Sequence, residues 1–213
     1  MNNSRDEIIT SLRNARGKLI SVPHPVAAGI NHFNDRPAGD LTSCLQNFKE
    51  RLAALKGETY IVGSKAEARS KISELTQTVS SEEIVYSNEP IVQEIADGAT
   101  TVMPLDELPD TVLKNCKVGI TGCLSLVTRT GSVVVSSTLS GRRLSVLPPF
   151  HIVVAESSQM EMSLENVFPK LESDPLWSYA VVITGPSRTA DIEKILVLGA
   201  HGPKRFAVII IDA

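Results

Sequence analysis

Apolar residues recur at three- and four-residue steps at Leu41, Cys44, Leu45, Phe48, Leu52 and Leu55, with polar residues between them. This spacing predicts an amphipathic helix opened by Asp40 as N-cap and stopped by Gly57. A shorter apolar face of Ile8, Ile9, Leu12 and Ala15 predicts an opening helix over residues 4–16, and a loop rich in Gly, Asn and Pro then runs to Gly39. After Gly57 the pattern changes to short apolar runs. Strands are expected at 59–62, 84–86 and 100–103. Helices fall between them, one starting at Ser64 in a capping box with Glu67 and one over 90–96. Short strands alternating with helices predict a parallel sheet.

From residue 118 onward the strands are joined by loops more than by helices. Gly119 to Gly122 and Thr130-Gly131-Ser132 read as two glycine turns flanking a short helix. Strands are expected at 133–135 and 151–155, with Gly141-Arg142-Arg143 between them, and a helix over 164–171. The unbroken apolar runs 179–183 and 206–211 read as strands buried on both faces, and a short helix over 191–198 would make them one βαβ crossover. The fold class is therefore α/β, a Rossmann-like, open, mostly parallel sheet with helices on both faces. Residues 1–39 are expected as a helix and loop attached to an α/β domain at 40–213.

Composition narrows the function classes. A net charge of −3 gives no global attraction to nucleic acid, and 4% aromatic residues leaves little for base stacking. The polar N-terminus leads into no signal-length apolar region and no stretch approaches the roughly 20 residues of a membrane span, so a cytoplasmic protein is expected. The three cysteines, Cys44, Cys116 and Cys123, form no Cys-x-x-Cys pair, so no metal site or iron–sulfur cluster is expected in this chain. The Gly-x-Gly-x-x-Gly and Walker tracts are missing too, which removes the standard sequence support for NAD and ATP.

The candidate chemistry is anion binding. Gly185-Pro186-Ser187-Arg188-Thr189 combines a sharp turn with two hydroxyl caps, Ser187 and Thr189, and a guanidinium, Arg188, a combination suited to carboxylate or phosphate. Arg142 and Arg143 add two guanidinium groups, Lys204 a further cation, and the Thr130-Gly131 turn close backbone approach. His201 and His151 are the candidate proton acceptors; for each, a hydrogen-bonded structural histidine is the competing role.

Six ordered blocks resemble the LutC-type lactate utilisation proteins, the small LUD-domain family. They are Gly119-Ile120-Thr121-Gly122, Thr130 to Val134, Gly141 to Ser145, Leu147 to Ile152, Gly185 to Glu193 and Gly199 to Pro203. The resemblance implies a fold related to the sugar-phosphate isomerases and CoA-transferases, and participation in oxidation of L-lactate to pyruvate. It also implies iron–sulfur partner proteins that carry the clusters, with lactate or pyruvate as the small anionic ligand. Where the family typically has an acidic residue before Thr-Gly, this chain has Arg129, which can only donate hydrogen bonds and positive charge. Arg129 therefore joins the anion-binding candidates.

Three functions fit these residues. The first is a cluster-free subunit of a lactate-oxidising complex, a component and not an enzyme alone. The second is a stand-alone transferase or isomerase acting on a CoA thioester, folate or sugar phosphate, and the third a non-catalytic anion-sensing or assembly protein. The sequence leaves the oligomeric state open.

Overall fold

The amphipathic stretch folds as expected, into helix α1 (Leu41–Ala54), with the Asp40 carboxylate accepting from the Ser43 N–H at 2.8 Å. The structure, a computed structural model, describes residues 7–11, 40–96, 109–137, 141–174, 178–189, 197–198 and 202–212, with the backbone alone at 141, 142, 189, 197 and 198. Residues 7–11 are helical; the rest of the expected opening helix, the loop to Gly39, the strand at 100–103 and residues 191–196 lie outside the described residues. The chain divides into two compact units, Met1–Pro37 and Ala38–Ala213.

In the second unit the chain runs β1 (Glu58–Val62), α2 (Lys65–Leu75), β2 (Ile84–Tyr86), α3 (Pro90–Ala96), α4 (Asp110–Asn115) and β3 (Val118–Thr121). There follow β4 (Ser125–Val127), β5 (Ser132–Ser136), α5 (Gly141–Val146), β6 (Phe150–Glu156), β7 (Met160–Glu161) and α6 (Phe168–Glu172). The last strands are β8 (Ala180–Ile183), β9 (Arg188–Thr189), β10 (Val197–Leu198) and β11 (Arg205–Ile211). Among the described residues, five strands form an all-parallel sheet in the order β1-β11-β6-β3-β2. The parallel α/β expectation holds for this sheet.

Strand periodicity divides the core. One face of the parallel sheet carries Ile120, Ile152, Val154 and Ile209 and is covered by Ala68 and Ile72 of α2 and Val92 and Ile95 of α3. The opposite face carries Val153, Phe206, Val208 and Ile210 and packs on Leu45, Phe48 and Leu52 of α1, together with Leu126, Val133 and Val135 of a second sheet. That second sheet, ordered β7-β4-β5-β8, is mixed, with β5 antiparallel to both β4 and β8.

The mixed sheet and a separate two-stranded ladder of β9 and β10 correct three expectations. The run at 179–183 is β8, paired with β5 and outside the parallel sheet, so it forms no βαβ crossover with β11. Residues 197–198 are strand, antiparallel to 188–189, where the end of a helix was expected. The segment between the two glycine turns is the strand β4, not a short helix. For 179–183 the strand was expected and only its pairing partner, set by distant residues, was not readable; at 125–127 and 197–198 the element type itself differs, because short apolar runs fit helix or strand alike.

A smaller correction concerns the end of α1. Lys56, not Gly57, takes the left-handed conformation, with φ 69°. Its N–H donates to the Ala53 carbonyl and that of Gly57 to Leu52, which is a Schellman closure. Gly57 serves packing, since a Cβ there would lie 2.5 Å from Leu52 Cδ1.

Candidate anion-binding site

Helix α5 can lie against β3 only because Gly119 has no side chain: a Cβ there would sit 2.6 Å from the Leu144 carbonyl oxygen. That close approach buries Leu144 with Val85, Leu113 and Cys116 and leaves Arg143 exposed. Arg143 forms an ion pair with Asp110 of α4, so the two helices are tied across their open side. The chain then turns through Leu147-Pro148-Pro149 into β6. Just below, Lys117 pairs with Glu83 at 2.6 Å. These elements enclose a cleft of about 560 Å³ at the amino ends of β2, β3 and β6. Among the described residues its cations are Lys114, Lys117 and Arg143, its anions Glu83 and Asp110, and Leu113, Leu147 and Pro149 supply apolar surface. Cys116 also lines it, but burial pushes its thiol up to about 11 and its Sγ–H donates to the Val118 carbonyl, so it is no nucleophile.

The Gly185 turn reaches the same wall. Gly185, at φ 144°, packs on the Leu55 carbonyl, which a Cβ would approach to 3.0 Å. The Ser187 N–H donates to the Pro203 carbonyl at 2.8 Å, and the N–H groups of Lys204 and Arg205 both donate to Pro149. A Cβ on Gly202 would touch Ser187 and, at 3.9 Å, the Val146 carbonyl oxygen. Ser187 and Lys204 are thus set beside residues 146–149 by backbone contacts. Arg188 is half-buried in β9, and its Nη2 is buried with no hydrogen-bond partner among the described residues. Leaving a guanidinium donor unsatisfied is costly, so this atom calls for an acceptor.

Ser187, Arg188 and Lys204 are not among the residues that line the cleft, and neither are the remaining described candidates. Arg129, Thr130 and Gly131 form the β4–β5 turn and none of them lines the cleft. Gly131, at φ 66°, packs on α1, where a Cβ would come within 2.6 Å of the Leu52 nitrogen. The Thr130 hydroxyl accepts from Ser132, and the Arg129 N–H donates to the Met162 carbonyl. Arg142 lies in α5 and Thr189 in β9 by backbone, and His201 lies outside the described residues.

His151 is fully buried in β6, with its ring 5.4 Å from that of Phe206. The Thr121 hydroxyl donates to the Gly122 carbonyl, so at 2.9 Å it accepts from His151 Nε2–H, which assigns that tautomer and leaves Nδ1 without a partner. Burial lowers the His151 pKa to about 3, which keeps the ring neutral. Its surroundings give it a core role and no route to a substrate.

Open α/β sheets usually bind ligands beyond the carboxyl ends of their strands. Here that edge holds a crevice of about 580 Å³ bordered by Ser64, Lys65, Glu156 and Ser157. Lys65 is paired with Glu94, so with Glu156 the local balance is acidic and ill-suited to an anion. Beyond β2, Ser87 donates to the buried carboxylate of Glu89, which lies against Gly122. Sequence reasoning missed Glu89, and it missed Lys114 and Lys117 because single charges before a strand look like solvated surface. Among the described residues no three His, Cys, Asp or Glu side chains are grouped to hold a metal, and no helix is long and apolar enough to cross a membrane.

Comparisons with known proteins agree with this architecture. The LUD domain family model matches residues 45–211. A lactate utilization protein C from Deinococcus radiodurans is 34% identical over 100 residues, 43% of this chain and 45% of that protein. One of the same name from Halalkalibacterium halodurans is 34% identical over 101 residues, 45% of this chain and 44% of that protein. An uncharacterized protein of Escherichia coli K12 is 30% identical over 138 residues, 62% of this chain and 56% of that protein. The chain spans about half the length of the curated relatives it matches. The crystal structure of a DUF162 family protein from Deinococcus radiodurans superposes with a TM-score of 0.61 at 18% identity, over 82% of this chain and 99% of that one, which shows a shared fold.

Proposed function

The chain belongs to the LUD-domain family, and from that premise we propose that it is the cluster-free subunit of an L-lactate oxidation system, working in the cytoplasm with iron–sulfur partner proteins. Relatives named lactate utilization protein C suggest the substrate. The structural observation that supports the reading is the buried Arg188 Nη2, which has no hydrogen-bond partner among the described residues. A carboxylate is the acceptor that satisfies it best, since guanidinium and carboxylate match in geometry and charge. Arg188 would hold the carboxylate of lactate, with Ser187 beside it at the Gly185 turn. Conversion of lactate to pyruvate releases two electrons and two protons, and the electrons are assigned to the iron–sulfur partners. His201, next to Gly202 in sequence, is the candidate acceptor for the hydroxyl proton.

The test is Arg188→Ala in the native host, with growth on L-lactate and lactate-dependent dye reduction by the co-purified complex as readouts. At least a tenfold loss of dye reduction is expected, with the partner proteins still co-purifying. Full activity in that variant would remove Arg188 from the mechanism, and a wild-type pull-down without iron–sulfur proteins would remove the subunit reading.

A further inference from the structure

We propose that the cleft between α4 and α5 binds an amphipathic organic anion larger than lactate, with its charged group at Lys114 and its apolar body against Leu147. Size is the first argument. At about 560 Å³ the cleft lies within the roughly 300–1,000 Å³ typical of small-molecule sites and is several times what a three-carbon hydroxy acid fills.

Charge is the second argument. Among the described residues three cations and two anions line the cleft, and the anions are each engaged, Asp110 with Arg143 and Glu83 with Lys117. Lys114 makes no ion pair among the described residues, which leaves one positive charge for a ligand. The two existing pairs are largely exposed and therefore weak, so an incoming carboxylate can share their cations at little cost.

The apolar surface is the third argument. Leu147 is 56% exposed although it sits in the cleft wall, and it is held there: its N–H donates to the Arg143 carbonyl at 2.9 Å, and Pro148 behind it is buried. An apolar side chain fixed outward on a short helix and a Pro-Pro turn is preorganised to contact an apolar group, and no ordering of the chain is needed when the ligand arrives. The carboxyl-edge crevice, similar in volume, offers no such combination, because among the described residues Ile211 is its one large apolar side chain and its charge balance is acidic.

The inference stands apart from the lactate reading, and its test does too. Sodium octanoate is titrated into the full chain by calorimetry, alone and in the presence of L-lactate as competitor, with octylammonium in parallel. Leu147→Glu and Lys114→Glu change exposed side chains, and unchanged far-UV circular dichroism checks that both fold. Saturable octanoate binding is expected, with no octylammonium binding and a loss of at least tenfold in each variant. Absence of saturable octanoate binding, binding unaltered by both substitutions, or equal competition by lactate would each overturn the proposal. Arg188→Ala probes the lactate reading through dye reduction, so either reading can fail while the other stands.

Discussion

A histidine inside an apolar strand makes folding depend on pH in a calculable way. In the unfolded chain His151 titrates near 6.5, whereas in the folded protein burial lowers its pKa to about 3. Above 6.5 the ring is neutral in both states and costs nothing. As pH falls below 6.5 the unfolded chain takes up a proton that the native state refuses, so stability is lost at up to about 1.4 kcal/mol per pH unit until the folded pKa is reached. Between pH 7 and 5 the loss from this residue should be about 2 kcal/mol. His151→Gln keeps a donor for Thr121 but cannot titrate, so its urea midpoint should fall less over that range than the wild type's. Identical pH slopes in the two proteins would show that His151 is protonated in the native state. Glu58 acts at lower pH. Hydrogen bonds from Arg205, at 2.6 and 2.8 Å, lower its carboxyl pKa, with the Tyr60 hydroxyl adding to the effect and burial opposing it. A depressed carboxylate stabilises above its unfolded pKa, and that contribution goes as pH falls through the folded value, so the Glu58 loss follows the His151 loss.

At the scale of elements, α1 is held by a closure and by a close approach that can be tested separately. Lys56 occupies a left-handed position that costs a non-glycine residue about 1 kcal/mol, so Lys56→Gly should stabilise by roughly 0.5–1 kcal/mol in urea unfolding. Gly131→Ala should do the opposite, by about 2–3 kcal/mol, since it meets both a positive φ and the Leu52 backbone nitrogen. If Gly131→Ala is neutral, the β4–β5 turn does not rest on the helix. The helix itself was legible in the sequence because a 3.6-residue period is a local property. β8 was not, since an apolar run of that length fits a strand in either sheet and only its partner, β5, about fifty residues earlier in the chain, decides which. The site was legible in the same uneven way. Backbone contacts hold Ser187 and Lys204 near residues 146–149, and Gly131 packs on α1. Glycine motifs announce close approach without saying whether a ligand or another backbone approaches.

At the scale of residues 38–213, the parallel and mixed sheets share the cluster between them, while each carries a further cluster of its own. Phe48 and Leu52 of α1 touch a cluster that contains Val133 and Val135 of the mixed sheet and Phe206, Val208 and Ile210 of the parallel sheet. Neither sheet can therefore release its inner face without exposing the other's. Phe48 is fully buried, and truncation to alanine should cost about 3–5 kcal/mol, the range for removing a buried phenylalanine. Because the cluster is shared, that loss should appear in a single transition. Hydrogen exchange at Val134 of β5 and Ile209 of β11 should then lose protection at the same urea concentration in wild type, and together at a lower one in Phe48→Ala. Separate transitions for the two amides would mean that the mixed sheet folds as its own unit. In that case the cleft wall at 146–149, which hangs from β6, would be supported by the parallel sheet alone, and Phe48→Ala would leave the octanoate binding proposed above intact at urea concentrations that unfold β5.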